Sequence, residues 1–165
     1  MPYCQLFYHL VWATRGRLPL LTPEVETRIY KLLVGKALGL GAAVFALNGV
    51  EDHVHMVVSV PPKLAVATFV GQVKGVTSAR FNQASETGPE FYWQEEYGAF
   101  TFDLKRMPSY VAYVRQQKQH HQGGTVIPIL ERVEAVDAAV SHEPASVYEL
   151  EDAAWRDELL SFDGS

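Results

Sequence analysis

Cysteine is almost missing from this sequence: Cys4 stands alone among 165 residues. A lone thiol excludes an internal disulfide and any zinc cluster built on thiolates, and a reducing cytoplasm is the expected compartment. Cys4 itself reads as a small buried hydrophobe on a strand. Long apolar runs are missing too, each being broken by glycine, proline or a charge well short of a membrane span. The opening "MPYCQLFYHL" carries no basic region ahead of an apolar stretch, so neither a secretory signal nor a membrane partner is expected. Positive charge is scarce at the other end. Residues 131–165 hold 2 Lys+Arg against 10 Asp+Glu, whereas residues 1–130 hold 12 against 9. The net charge of −5 is therefore a property of an acidic tail on a mildly basic body, which admits a nucleic-acid partner without demanding one.

What is present is a regular alternation of strand and helix signals. "YCQLFYHLVWAT", residues 3–14, is rich in aromatic and β-branched residues and reads as a strand. Thr22 followed by Pro23 is a helix start, and apolar spacing carries that helix over about residues 23–39, where glycines end it. "AAVFALNGVE" and "HVHMVVSV" read as an antiparallel pair turning near Gly49 to Asp52, stopped by "PPK". A second helix runs from Leu64 to about Asn82 on an apolar stripe of Val66, Phe69, Val70, Val73 and Val76. "FYWQEEYGAFTFD" supplies one or two short strands, and Pro108 opens a third helix that stops before Gly123. The order β-α-β-β-α-β-α predicts an α+β, ferredoxin-like split βαβ fold: an antiparallel sheet with helices on one face and an appended C-terminal helix. In the tail, Ser146 and Glu149 have capping-box spacing, and Tyr148, Trp155, Leu159 and Phe162 share one helical face, so it should pack on the body.

Chemistry concentrates in two places. In "EDHVHMVVSV", His53 and His55 are two residues apart on a strand, so both imidazoles point to the same face. Two neutral imidazoles suit a divalent metal but leave the site open, and a further ligand must come from elsewhere. In the third helix Tyr113 and Gln117 are four apart and share a face; on spacing alone they read as a packing and a solvated residue, though a phenol can act as a nucleophile and an amide oxygen can hold a hard cation. Tyr110 is a rival nucleophile that helical geometry does not exclude. Arg15, Arg17, Lys74 and Arg80 are candidate phosphate contacts, and Trp12, Tyr92, Trp93 and Tyr97 read as core aromatics with base stacking as the alternative. His9 reads as structural, and "HH" at 120–121 has no evident role.

The ordered motifs "YHLVWATRGRLPLLTPE", "DHVHMVVSVPPK", "FVGQVKGVTSARF", "YWQEEYGAFTF" and "YVRQQKQHH" resemble those of the single-tyrosine transposases of the HUH endonuclease superfamily, carried by the smallest bacterial insertion sequences. The resemblance implies that His53 and His55 are metal ligands, Tyr113 the nucleophile and Gln117 the third ligand; the Tyr-x-x-x-Gln spacing favours Tyr113 over Tyr110. It implies Mg²⁺ or Mn²⁺ as cofactor, single-stranded DNA with hairpin-bearing element ends as partner, and a 5′-phosphotyrosine intermediate. It also implies a homodimer whose tyrosine helix completes the partner's site in trans. The catalytic domain is then expected over residues 1–125, with an acidic, partly helical extension over 126–165. A domesticated relative that processes chromosomal repeat hairpins, or a ferredoxin-like nucleic-acid-binding module without catalysis, are the alternatives.

Overall fold

Alternating β-branched and aromatic residues build four strands, β1 (Phe7–Ala13), β2 (Ala43–Gly49), β3 (His53–Ser59) and β4 (Gly98–Phe102). A computed structural model, which describes residues 2–134 and 154–161, places them in one antiparallel sheet of order β2-β3-β1-β4. That order, with helices α1 (Pro23–Gly39) and α2 (Val66–Ala84) between the strands, is the expected ferredoxin-like arrangement. Thr22 caps α1 as anticipated, its hydroxyl accepting from the Val25 amide at 3.4 Å, and Pro23 opens the helix. The β2–β3 turn depends on Gly49, where a Cβ would lie 2.2 Å from the His53 carbonyl oxygen. Cys4 is exposed ahead of β1 rather than buried on it, because the strand starts three residues later.

Both faces of the sheet are covered. On one, Leu10, Trp12, Val54 and Met56 pack against Ile29 and Leu33 of α1 and Phe69 and Val73 of α2. Each of these side chains, fully buried, contributes about 1.5–3 kcal/mol of apolar transfer. On the other face lie Val57, Ala46, Tyr110, Tyr113 and Val114, joined by Ile127 and Leu130. β3 is therefore buried on both sides, which explains its nearly unbroken apolar run.

The helix expected from Pro108 to Gly123 is kinked into α3 (Met107–Arg115) and α4 (Gln117–Gly123) at Gln116. Neither proline nor glycine marks the place. The cause is tertiary: Asn48 of β2 donates its side-chain amide to the Arg115 carbonyl at 2.8 Å, taking an acceptor from the helical ladder. After α4, residues 125–133 return across the second face, where Ile127 and Leu130 are fully buried. In the tail, α5 (Ala154–Ser161) packs Leu159 on this same cluster. Ser146, Tyr148, Glu149 and Phe162 lie outside the described residues.

Candidate metal and nucleophile site

The register of β1 on β3 sets Val11 opposite His55, Ala13 opposite His53 and His9 opposite Val57. His9, His53 and His55 thus project from the second face, beneath α3 and α4. His53 Nε2 and His55 Nε2 each come within 2.9 Å of a single oxygen, Glu131 Oε2. Glu131 stands at the end of a short 3₁₀ turn, Pro128–Glu131, in the returning segment. Its other oxygen accepts from the Tyr113 hydroxyl at 2.5 Å, and the same hydroxyl accepts from the Ile127 amide at 2.9 Å. His121 Nε2 lies 3.6 Å from Glu131 Oε2, and its ring sits 4.8 Å from that of His53. Two imidazoles, a phenol and a carboxylate therefore share one point.

The back of each imidazole is also engaged. His53 Nδ1 is 2.6 Å from Asp52 Oδ1, and His55 Nδ1 is 2.8 Å from His9 Nε2. Such outer partners orient metal-binding histidines. Burial opposes charge on His53, but the carboxylates of Glu131 and Asp52 outweigh it and raise its pKa. Burial prevails at His55 and His9, which are held below the ordinary histidine value. Burial would raise the Glu131 carboxyl, yet hydrogen bonding to His53, His55 and Tyr113 overcomes it and holds the group well below the carboxylate range. Tyr113 is pushed up, first by burial and then by the Glu131 charge and hydrogen bond.

The donor set fits a divalent cation. One nitrogen each from His53 and His55 and a carboxylate oxygen from Glu131 lie within 4.8 Å of one another. Gln117, the third ligand implied by the resemblance, is wholly buried; its amide faces the Tyr113 hydroxyl, and neither its oxygen nor its nitrogen reaches a partner at full hydrogen-bond geometry. A buried amide left this way is costly unless something else binds it. Tyr110, the rival nucleophile, stacks on Phe102 with ring centroids 4.2 Å apart and lies 5.9 Å from the His9 ring. It is Tyr113 whose hydroxyl reaches the carboxylate shared by His53 and His55.

Sequence reasoning missed Glu131, and assigned His9 and His121 no part here. No local pattern marks Glu131, since 76 positions separate it from His55. His120 packs its ring on Tyr113 at 4.8 Å, with Nδ1 2.9 Å from Thr125 Oγ1.

The candidate phosphate contacts divide. Arg15 and Arg17 are exposed on the turn that follows β1, at the end of the sheet where Ala13 faces His53, and Arg15 lies 4.4 Å over the Tyr92 ring. Arg80 is exposed on α2, on the far side of the sheet from the site. Lys74 is buried, its ammonium donating to the carbonyls of Gln94, Glu95 and Glu96 at 2.5, 2.9 and 3.1 Å. All three N–H bonds serve the chain itself, which leaves none for a phosphate. Burial pulls the Lys74 pKa down, against the nearby charges of Glu96 and Glu95. Lys74→Met should therefore lower stability in urea unfolding by about 1–3 kcal/mol, while the salt dependence of any DNA binding stays unchanged. Trp12 and Trp93 are core, edge to face at 5.9 Å.

The position of Glu131 depends on a close approach elsewhere. At Gly98, the first residue of β4, a Cβ would fall 1.9 Å from the Arg132 carbonyl oxygen and 2.7 Å from Val11 Cγ1. Gly98→Ala must displace the strap next to Glu131. The expected result is a loss of about 1–3 kcal/mol in unfolding, together with weakened cation binding in calorimetry, although no ligand has been altered.

Comparison with known proteins agrees with this geometry. The sequence pattern of a family described as "Transposase IS200 like" matches residues 3–117. The ISDra2 transposase TnpA of Deinococcus radiodurans is 33% identical over 89 residues, 54% of this chain and 64% of that protein. The transposase for insertion sequence element IS200 of Salmonella typhimurium is 28% identical over 71 residues, 43% of this chain and 47% of that one. The match thus spans about half to two thirds of these curated relatives. Among solved structures, a Deinococcus radiodurans R1 protein described as a transposase superposes with a TM-score of 0.56 at 24% identity, over 76% of this chain and 95% of that one. A REP-associated tyrosine transposase bound to a REP hairpin gives a TM-score of 0.54 at 13% identity, over 76% of each. At those identities the structural likeness is one of fold.

Proposed function

Because the chain belongs to the IS200-like transposase family, we propose that it cleaves and rejoins single-stranded DNA at insertion-sequence ends, with Tyr113 as nucleophile and Mg²⁺ or Mn²⁺ held by His53, His55 and Gln117. The observation that carries this reading is the convergence of the Tyr113 hydroxyl and both Nε2 atoms on the one carboxylate of Glu131. A nucleophile and a cation cradle stand side by side.

The transfer follows from what each group can do. The Tyr113 oxygen gives up its proton and forms a bond to phosphorus, the bond from phosphorus to O3′ breaks, and the departing oxygen takes up a proton to become a free 3′-OH. The DNA 5′-phosphate is left on Tyr113, and its bond energy lets a later 3′-OH rejoin the strands by the reverse exchange. A bound divalent cation would supply charge withdrawal from the phosphoryl oxygens. Glu131 orients the phenol rather than ionising it, since the imidazoles that stabilise its negative charge make it a poor proton acceptor. Arg15 and Arg17 rim the same end of the sheet and are the phosphate contacts of this reading. A cavity of about 610 Å³ opens beside His121, with Leu21, Pro23 and Val50 in its walls, and has room for an unstacked nucleoside next to the scissile phosphate. Among the described residues no helix is long and apolar enough to cross a membrane, and a cytoplasmic location forms part of the proposal.

The test is a covalent one. A single-stranded oligonucleotide carrying a hairpin, incubated with Mn²⁺, should yield a denaturant-resistant protein–DNA band when the label is at its 3′ end. A 5′ label should instead appear on a shorter free strand. Protein that binds the oligonucleotide with no such band would be a binding module, and the proposal would fail.

A further inference from the structure

We propose that His9 is a positioning residue for the cation site: it governs which nitrogen of His55 carries the proton, and so whether Nε2 offers a lone pair. The inference rests on the cation reading above and deepens it. A neutral imidazole has one N–H and one lone pair, so what each nitrogen of His55 faces determines its tautomer. Nε2 faces Glu131 Oε2 at 2.9 Å, and Nδ1 faces His9 Nε2 at 2.8 Å, with both rings fully buried.

Without a cation, the Glu131 carboxylate can only accept, so the His55 proton sits on Nε2. Nδ1 then accepts from His9 Nε2–H. A cation at His55 Nε2 requires the lone pair there instead, and the proton must reside on Nδ1. His9 Nε2 must in turn become the acceptor, its proton passing to His55 Nδ1 while His9 Nδ1, which has no hydrogen-bond partner in this structure, takes one up from solvent. The proton on His55 Nε2 leaves as the cation arrives, so both rings exchange tautomers with no change in net charge. Only a side chain that both donates and accepts at this point serves both states. An apolar residue serves neither.

His53 provides the contrast. Its Nδ1 faces Asp52 Oδ1 at 2.6 Å, a partner that only accepts, so Nδ1 is protonated in either state. The Nδ1 proton of His53 is thus fixed by its partner, whereas that of His55 is not. The cross-strand register explains why position 9 supplies the switch: Val11 is opposite His55, and His9 is its diagonal neighbour on the same face.

Two measurements test this on the full chain. With ¹⁵N-labelled histidine, imidazole ¹⁵N spectra of the wild type should show His55 and His9 exchanging their N–H and lone-pair positions as diamagnetic Mg²⁺ saturates, while His53 keeps its Nδ1 proton. In calorimetry, His9→Phe should bind Mn²⁺ about tenfold or more weakly, and His9→Gln, whose amide rotates to donate or accept, should stay within about threefold of wild type. Unchanged His55 and His9 tautomers in a wild type that binds the ion, or a folded His9→Phe with wild-type affinity, would overturn the inference alone. If the wild type binds no Mn²⁺, or His53→Ala binds it equally well, the cation reading falls and this one with it. The spectra need no variant, so a His9→Phe chain that fails to fold leaves the test intact.

Discussion

Tyr113→Phe is expected to abolish the covalent protein–DNA adduct completely while leaving Mn²⁺ binding and the fold in place. The phenol oxygen is the atom that would bond to phosphorus, and phenylalanine offers no substitute. The ring itself can stay, packed on His120 and edge-on to His55. The lost oxygen also accepts from the buried Ile127 amide, so removal should cost about 1–3 kcal/mol of stability, visible as a lower unfolding midpoint. Tyr110→Phe is the companion variant. Its ring contacts with Phe102 and His9 survive, and the adduct should form at the wild-type level. If the adduct is lost in Tyr110→Phe and kept in Tyr113→Phe, the nucleophile has been misassigned.

The same variant addresses which subunit completes the site. α3 and α4 lie on their own sheet, and Tyr113 stands 6.0 Å, ring to ring, from His55 of the same chain. A site completed in trans, as the resemblance implies, needs α3 to swing away on residues 103–106. If each chain completes its own site, mixing His55→Ala with Tyr113→Phe under conditions of subunit exchange restores no cleavage. Recovery, with adduct only on the His55→Ala chain, would establish that a homodimer exchanges its tyrosine helices.

Loss of the cation should follow from changing either histidine, and His55→Ala is the more informative because it leaves the Asp52–His53 pair untouched. With one imidazole gone, no measurable Mn²⁺ heat is expected. Glu131→Gln, which removes a carboxylate charge, and Gln117→Ala, which removes an amide oxygen, should each weaken binding by about 10- to 100-fold, since the imidazoles stay in place. Mixed nitrogen and oxygen donors also favour Mn²⁺ over Mg²⁺, so the wild type should bind Mn²⁺ the more tightly. Wild-type affinity in both oxygen-donor variants would remove the third ligand from the proposal.

Much of this architecture was legible in one dimension because its causes are local. Thr22-Pro23 starts α1, the glycines after it stop it, and two-residue periodicity places His53 and His55 on one face whatever they meet there. Helical spacing likewise draws Tyr113 and Gln117 together, although the kink at Gln116 is imposed by Asn48 from another strand. Charge was a poorer guide. Lys74 looked like a phosphate contact, but three backbone carbonyls beyond the end of α2 take its ammonium, and no property of the lysine or its neighbours announces that.

What only the tertiary structure decided is the identity of the groups that meet the histidines. The hydrogen bonds of Glu131 to His55 and of His9 to His55 span 76 and 46 positions, and each depends on strand register or on the route of the strap after α4. Periodicity states which face a side chain uses; it is silent on what arrives at that face from a distant segment. The acidic content of residues 131–165 read as a tail property, yet its first carboxylate is drawn into the site because Ile127 and Leu130, fully buried on the second face of the sheet, anchor the strap beside His53 and His55. Apolar burial placed that charge, and the two imidazoles and one phenol bonded to it keep it ionised.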